Sequence, residues 1–216
     1  MTNQLDKDKI QNIFVITVTI LIIIFFLAVL FGVKYYYAPM PPEKVKYNGF
    51  EFVKKGVLWH MNWQRNEQVY NIGLRYNPSE VEKIPIIGNF SNEFNKKNKI
   101  YITFDPFSDN TTFKYQALAA SELAAQLAGP LGKQPVAACT KGEQVKACKD
   151  RPIVNCDNKD LNVIVIKSEE PTQVLLNQTC ITIQGKDLEL VKSAEKTLYT
   201  WFGIIKNPIV PVRAAN

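Results

Sequence analysis

The sequence predicts an α+β protein in which one N-terminal transmembrane helix carries a domain of roughly 170 residues. Three features predict it. Residues 13–33 form an uncharged apolar run. Short β-branched and aromatic segments separated by Gly, Pro and Asn recur beyond it. Two longer segments, residues 115–128 and 187–202, have helical patterning. Strands in an antiparallel arrangement with helices on one face give a two-layer domain, mostly antiparallel, with two main helices.

The apolar run holds 21 residues with no charge and no Pro, interrupted only by Thr17 and Thr19. At 1.5 Å per residue it spans ~31 Å, the thickness of a hydrocarbon core. Tyr35, Tyr36 and Tyr37 follow Lys34 and read as an interfacial aromatic belt. The run exceeds a signal-peptide core, and no small-x-small site follows it, so an uncleaved anchor is expected. Residues 1–12 form a short cytoplasmic tail, residues 13–33 the span, residues 34–44 a Tyr/Pro-rich spacer and residues 45–216 the domain. Pro39, Pro41 and Pro42 favour extended polyproline II in the spacer.

Charge alone barely sets the orientation. Lys7, Lys9 and the α-amine flank one end, and Lys34, Lys44 and Lys46 the other. The cysteines decide it. Cys139, Cys148, Cys156 and Cys180 are even in number, confined to the domain and without a C-x-x-C pair. Four cysteines allow three connectivities; the expected one joins Cys139 to Cys148 and Cys156 to Cys180. The longer of these closed loops stabilises by ~3 kcal/mol in chain-entropy terms. Disulfides need an oxidising compartment, which puts the domain outside the cytoplasm. Three sequons, at Asn89, Asn110 and Asn177, point the same way as glycosylation candidates.

Within the domain, residues 50–53, 57–63 and 69–76 read as a meander closed by Asn77-Pro78-Ser79-Glu80. Residues 99–104 form a strand. Residues 115–128 then form an Ala-rich buried helix, with capping candidates at 108–112 and a stop at Gly129-Pro130. Residues 135–138, 162–167, 173–176 and 180–183 follow as strands. The last helix carries Leu188, Val191, Ala194, Leu198 and Trp201 on one stripe, with Lys and Glu opposite. A strand precedes each helix, hinting at a split β-α-β arrangement.

The chemistry excluded is broader than the chemistry indicated. The net charge of +6 is scattered as single lysines and small clusters, without the dense basic stripe of a nucleic-acid binder. No phosphate loop, dinucleotide fingerprint or nucleophile elbow occurs, and no motif implies a cofactor. A metal site would need an unusual four-cysteine spacing, so none is expected. The single histidine, His60, leaves little room for a catalytic triad and faces away from Trp59 and Met61 in its strand. The acidic pairs Asp105/Asp109, Asp157/Asp160 and Glu169/Glu170 read as turn and capping residues. The alternation of Trp59, Met61 and Trp63 sets them on one strand face, either core or an open binding face.

Tyr101–Pro106, Arg151–Asn158, Asn177–Ile183 and Trp201–Ile204 resemble segments of uncharacterised single-pass membrane proteins of archaea, particularly small-genome lineages. The resemblance covers about half the chain and implies an envelope setting without an activity.

The functional expectation is a non-catalytic, membrane-anchored, extracytoplasmic binding or scaffold domain. Its expected contacts are the bilayer, through residues 13–33, and an envelope protein partner. Two alternatives are a pilin-like or secretion-apparatus subunit assembling through its helix, and a membrane-bound hydrolase using two carboxylates of raised pKa.

Overall fold

The computed structural model describes residues 2–36, 41–90, 94, 96–142 and 145–206. The chain divides into two units, Met1–Pro41 and Pro42–Asn216.

The first unit is helix α1, Thr2–Tyr36. Its stretch Phe14–Tyr36 is long and apolar enough to cross a membrane, with a mean hydropathy of 3.2. Apolar side chains surround the axis with no polar face, as lipid requires and a helix packed on a sheet does not. The Thr19 hydroxyl donates to the Val15 carbonyl at 2.9 Å, so this polar group is satisfied inside the helix. Residues 37–40 of the expected spacer lie outside the described residues.

The second unit begins with a four-stranded antiparallel meander: β1 (Lys44–Tyr47), β2 (Phe50–Lys55), β3 (Leu58–Arg65) and β4 (Gln68–Leu74). Asn48 and Gly49 both have positive φ and join β1 to β2 across two residues. That Asn-Gly pair is a strong short-range hairpin signal, yet β1 was not among the expected strands. Asn77-Pro78-Ser79-Glu80 opens a short helix, α2 (Pro78–Val81), through a capping box between Asn77 and Glu80.

A six-stranded mixed sheet follows: β5 (Ile86–Phe90), β6 (Lys99–Phe104), β7 (Gln134–Cys139), β8 (Asn162–Lys167), β9 (Gln173–Gln178) and β10 (Cys180–Gln184). The spatial order is β5-β9-β10-β8-β6-β7. Only β9 and β10 pair antiparallel; β8 runs parallel to both β6 and β10, and β6 to β7. The α+β class holds, with the antiparallel pairing concentrated in the meander and parallel pairing in the larger sheet. Strand β5 escaped the sequence because Gly88 interrupts it. The glycine has φ +101°, and a Cβ there would run into the Leu176 carbonyl of β9.

Two long helices complete the domain: α3 (Asn110–Ala128) between β6 and β7, and α4 (Leu188–Trp201) after β10. Asp109 caps α3, accepting from the N–H groups of Thr111 and Thr112 at 2.8 and 2.9 Å, so the helix starts five residues before the expected Tyr115.

The expected polar face of α4 does not exist as such. Glu195 and Lys196 are buried, whereas Leu188 is 46% exposed. The meander covers the face that the sequence assigned to solvent, and its rings meet those of the helix region, Phe52 against Tyr199 and Trp63 against Phe202. Helix α4 thus lies between two sheets, which adds a layer to the expected two. One continuous core joins Phe52, Trp59 and Ile72 of the meander to Leu123 of α3, Leu198 of α4 and Ile164 of β8. On the opposite face of the large sheet, Ala138, Val154, Val163, Val165 and Cys180 form a second cluster.

Candidate ligand-binding cleft

The segment after β7 carries the disulfides. Cys139, the last residue of β7, is bonded to Cys148 with Cα atoms 6.0 Å apart. Cys156 is bonded to Cys180, the first residue of β10, across 5.4 Å. The Cys139 N–H donates to the Pro152 carbonyl, and the Val154 N–H donates back to the Cys139 carbonyl. These ties hold the return from β7 to β8 against the second core cluster, Cys139–Cys148 at the carboxyl end of β7 and Cys156–Cys180 at the amino end of β10.

That geometry builds a cleft. The chain leaves β6, passes through α3 to β7 on one side, and then crosses back to β8 on the other side of β6. In open α/β sheets such a reversal of strand order leaves a crevice at the carboxyl ends of the strands. Here a cleft of about 360 Å³ occupies that place, within the roughly 300–1,000 Å³ range of small-molecule sites. Asp105 follows β6, Thr140 and Lys141 follow β7, and Lys167, Ser168 and Glu169 end β8 and follow it. Ser108, Thr112 and Gln116 reach it from the start of α3.

The wall is mixed, with Val165 and Ile166 beside polar groups that are largely pre-set. Asp105 Oδ2 lies 2.8 Å from Lys141 Nζ, and its Oδ1 accepts from the Phe107 N–H at 3.0 Å. Partial burial opposes the Asp105 charge, but the hydrogen bonds from Lys141 and Phe107 outweigh it and hold the carboxyl below its ordinary range. Lys167 Nζ lies 3.5 Å from Glu169 Oε1. The hydroxyls of Ser108, Thr112 and Thr140 donate to the Asp105 carbonyl, Asp109 Oδ2 and the Phe104 carbonyl, at 3.0, 2.7 and 3.3 Å. Gln116 is only 2% exposed, and its Oε1 has no hydrogen-bond partner among the described residues. An orphaned buried carbonyl costs about 1–3 kcal/mol. A site that retains such a group beside a cleft is poised to receive a donor.

The aromatic face suggested by the sequence is interior. Trp59 and Met61 are 4% and 3% exposed, and Trp63 donates its indole N–H to the Phe202 carbonyl at 3.1 Å. These three residues anchor the meander over α4 and offer no open binding face. The other face of β3 carries His60, whose Nδ1 lies 2.8 Å from Asn71 Oδ1; Asn71 in turn donates to Asn62 Oδ1. Asn89, Asn110 and Asn177 are all exposed, on β5, at the start of α3 and near the end of β9. Ser91, the third residue of the first sequon, lies outside the described residues.

Two carboxylates of raised pKa do occur, Glu122 on α3 and Glu195 on α4. Glu195 is fully buried, and its oxygens accept from the N–H groups of Arg75 and Tyr76 at 2.6 and 2.9 Å. Burial, reinforced by the neighbouring Glu122 charge, pushes it up to about 9. Burial also raises Glu122, although Arg75 Nε lies 2.7 Å from its Oε1. Both carboxyls hold the exit of β4 between the helices, Glu195 through the Arg75 and Tyr76 N–H groups and Glu122 through the Arg75 guanidinium. Neither carboxylate lines the cleft, so this pair lends the hydrolase alternative no support. Among the described residues, no group of three or more His, Cys, Asp or Glu side chains is placed to hold a metal ion.

The fold and the cleft define a disulfide-bonded α+β domain on a chain with one apolar N-terminal helix. Comparison with protein-family models, curated proteins and solved structures finds no match to this chain.

Proposed function

We propose that this chain is a membrane-anchored, extracytoplasmic binding protein of the cell envelope. Helix α1 stays in the bilayer as an uncleaved anchor, residues 1–12 face the cytoplasm, and the domain projects outside, where its disulfides are stable. The cleft at the carboxyl ends of β6, β7 and β8 is its binding site and takes a small polar molecule. The single observation that carries this reading is Gln116, buried beside the cleft with its Oε1 unpartnered. With Trp59 and Met61 buried and Trp63 partly buried against Phe202, this strand face supplies no open aromatic platform for a protein partner.

Ligand binding to the folded state alone raises the thermal midpoint by mass action. The purified full chain in lipid nanodiscs gains thermal stability when the low-molecular-mass fraction of its own envelope is added. A Gln116→Leu chain, which fills the polar end of the cleft with an apolar group, does not. An equal shift in both chains refutes the assignment of the site.

A further inference from the structure

We infer that the cleft recognises a neutral, hydroxyl-rich ligand, specifically a sugar residue. This inference rests on the binding reading of the same cleft and narrows its ligand class.

Charge is the first consideration. Two lysines and two carboxylates line the cleft, and they are matched in pairs, Lys141 with Asp105 and Lys167 with Glu169. The pairing leaves these four groups without a net charge, so the cleft offers neither an anion nor a cation an excess of opposite charge. The positive end of α3 offers an anion nothing further, because the Asp109 carboxylate already occupies the Thr111 and Thr112 N–H groups.

Hydrogen-bond direction is the second consideration. Ser108, Thr112 and Thr140 have each committed their hydroxyl proton to an acceptor within the chain. They therefore present oxygen lone pairs to the cleft, as the carboxylates do. Gln116 adds a carbonyl acceptor. Lys141 and Lys167 supply the spare donors. A wall rich in acceptors with a few strong donors suits groups that both donate and accept, and alcohols are such groups. An amine would donate as well, but it would meet the two ammonium groups.

The third consideration is the rim. Phe107, in the turn after β6, is 57% exposed although large and apolar. Lys141 Nζ lies 5.6 Å from its ring centroid, and a Cβ at Gly142 would come within 3.1 Å of the ring. Gly142 has φ +87°, so a side chain there is disfavoured by both backbone and space. The ring thus packs near Lys141 and Gly142 and stays exposed; Phe107 does not itself line the cleft, but its contact Lys141 and its neighbour Ser108 do. An aromatic ring next to convergent polar groups matches the two faces of a pyranose, whose axial C–H bonds pack on the ring while its equatorial hydroxyls face the wall.

The test uses the full chain, produced in a host without N-glycosylation and held in sugar-free nanodiscs. Mannotriose, cellotriose and chitotriose are the probes, followed by saturation-transfer NMR and by hydrogen exchange of the cleft peptides. Inorganic phosphate and putrescine serve as charged controls. At least one trisaccharide is expected to receive saturation at its ring protons and to protect the cleft peptides. Phe107→Ala, at an exposed position, weakens that binding by about tenfold, and Lys141→Met weakens it as well, with circular dichroism confirming the fold of both. If phosphate or putrescine protects the cleft and no trisaccharide does, the sugar inference is overturned while the binding reading stands. Trisaccharide binding that is unchanged in both variants also overturns it, because the sugar then sits elsewhere. If none of the five probes protects the cleft, the sugar inference falls; the envelope-fraction experiment then decides the binding reading separately.

Discussion

Lys141 Nζ lies 2.8 Å from Asp105 Oδ2, an ion pair between the residue that follows β6 and one just beyond β7. The two strands are parallel neighbours, so their carboxyl ends emerge side by side. The pair closes that corner of the cleft while leaving both partners partly exposed, at 59% and 44%. Exposed ion pairs contribute at most about 1 kcal/mol to stability. Its larger consequence is to fix where a charged donor and acceptor face a ligand.

Asp105→Asn is therefore expected to change folding free energy by less than about 1 kcal/mol, because an amide oxygen can still accept from the Phe107 N–H. The same substitution removes the ligand-induced thermal shift. Urea unfolding and thermal denaturation with the envelope fraction measure the two effects. A large loss of stability with the shift intact would reverse the assignment.

Glu195 predicts how stability varies with pH. Burial holds its proton up to about pH 9, whereas an unfolded glutamate releases it near 4.5. Between those values the folded state binds more protons than the unfolded state, so this group makes stability fall as pH rises. Its contribution is fully present below about 4.5 and is lost as pH climbs through 9. Urea midpoints across that window should decline for the native chain and decline less for Glu195→Gln. Parallel curves would show that Glu195 is ionised in the fold.

The Cys156–Cys180 bond ties the crossover segment to the start of β10 over a sequence separation of 24. Replacing both residues by Ser should cost about 3 kcal/mol, read from denaturant unfolding. The loss should be accompanied by faster exchange in residues 145–161. A change below 1 kcal/mol would mean that the apolar cluster around Val154 and Val163 holds this segment unaided.

Much of the fold was legible because local patterns and tertiary demands agree. Residues 99–104 and 162–167 alternate or run apolar and are strands to the residue. Lys44–Tyr47 was missed despite Asn48-Gly49, since two lysines in four residues hide a strand at the edge of a sheet. Ile86–Phe90 was missed because Gly88 breaks its pattern, and the reason for that glycine is a contact with β9, 88 residues further along the chain. The surroundings of α4 followed the same logic. Its Lys/Glu stripe reads as solvated until a second sheet covers it, after which Glu195 bonds to Arg75 and Tyr76, and Lys196 to the Glu82 carbonyl at 2.6 Å.

The cleft was not legible at all. Asp105, Gln116, Lys141 and Glu169 share no motif or spacing; only the order in which β7, β6 and β8 lie side by side brings them together. Asp105 and Glu169 were read as turn residues, and Asp105 does accept from the N–H two residues on.

The central claim, a binding cleft at the carboxyl ends of β6, β7 and β8, is tested most directly by hydrogen–deuterium exchange. The full chain in nanodiscs is followed with and without the low-molecular-mass envelope fraction. The predicted result is slowed exchange confined to residues 105–112, 140–142 and 167–169. Slowed exchange confined to the meander, or none anywhere, would contradict the claim.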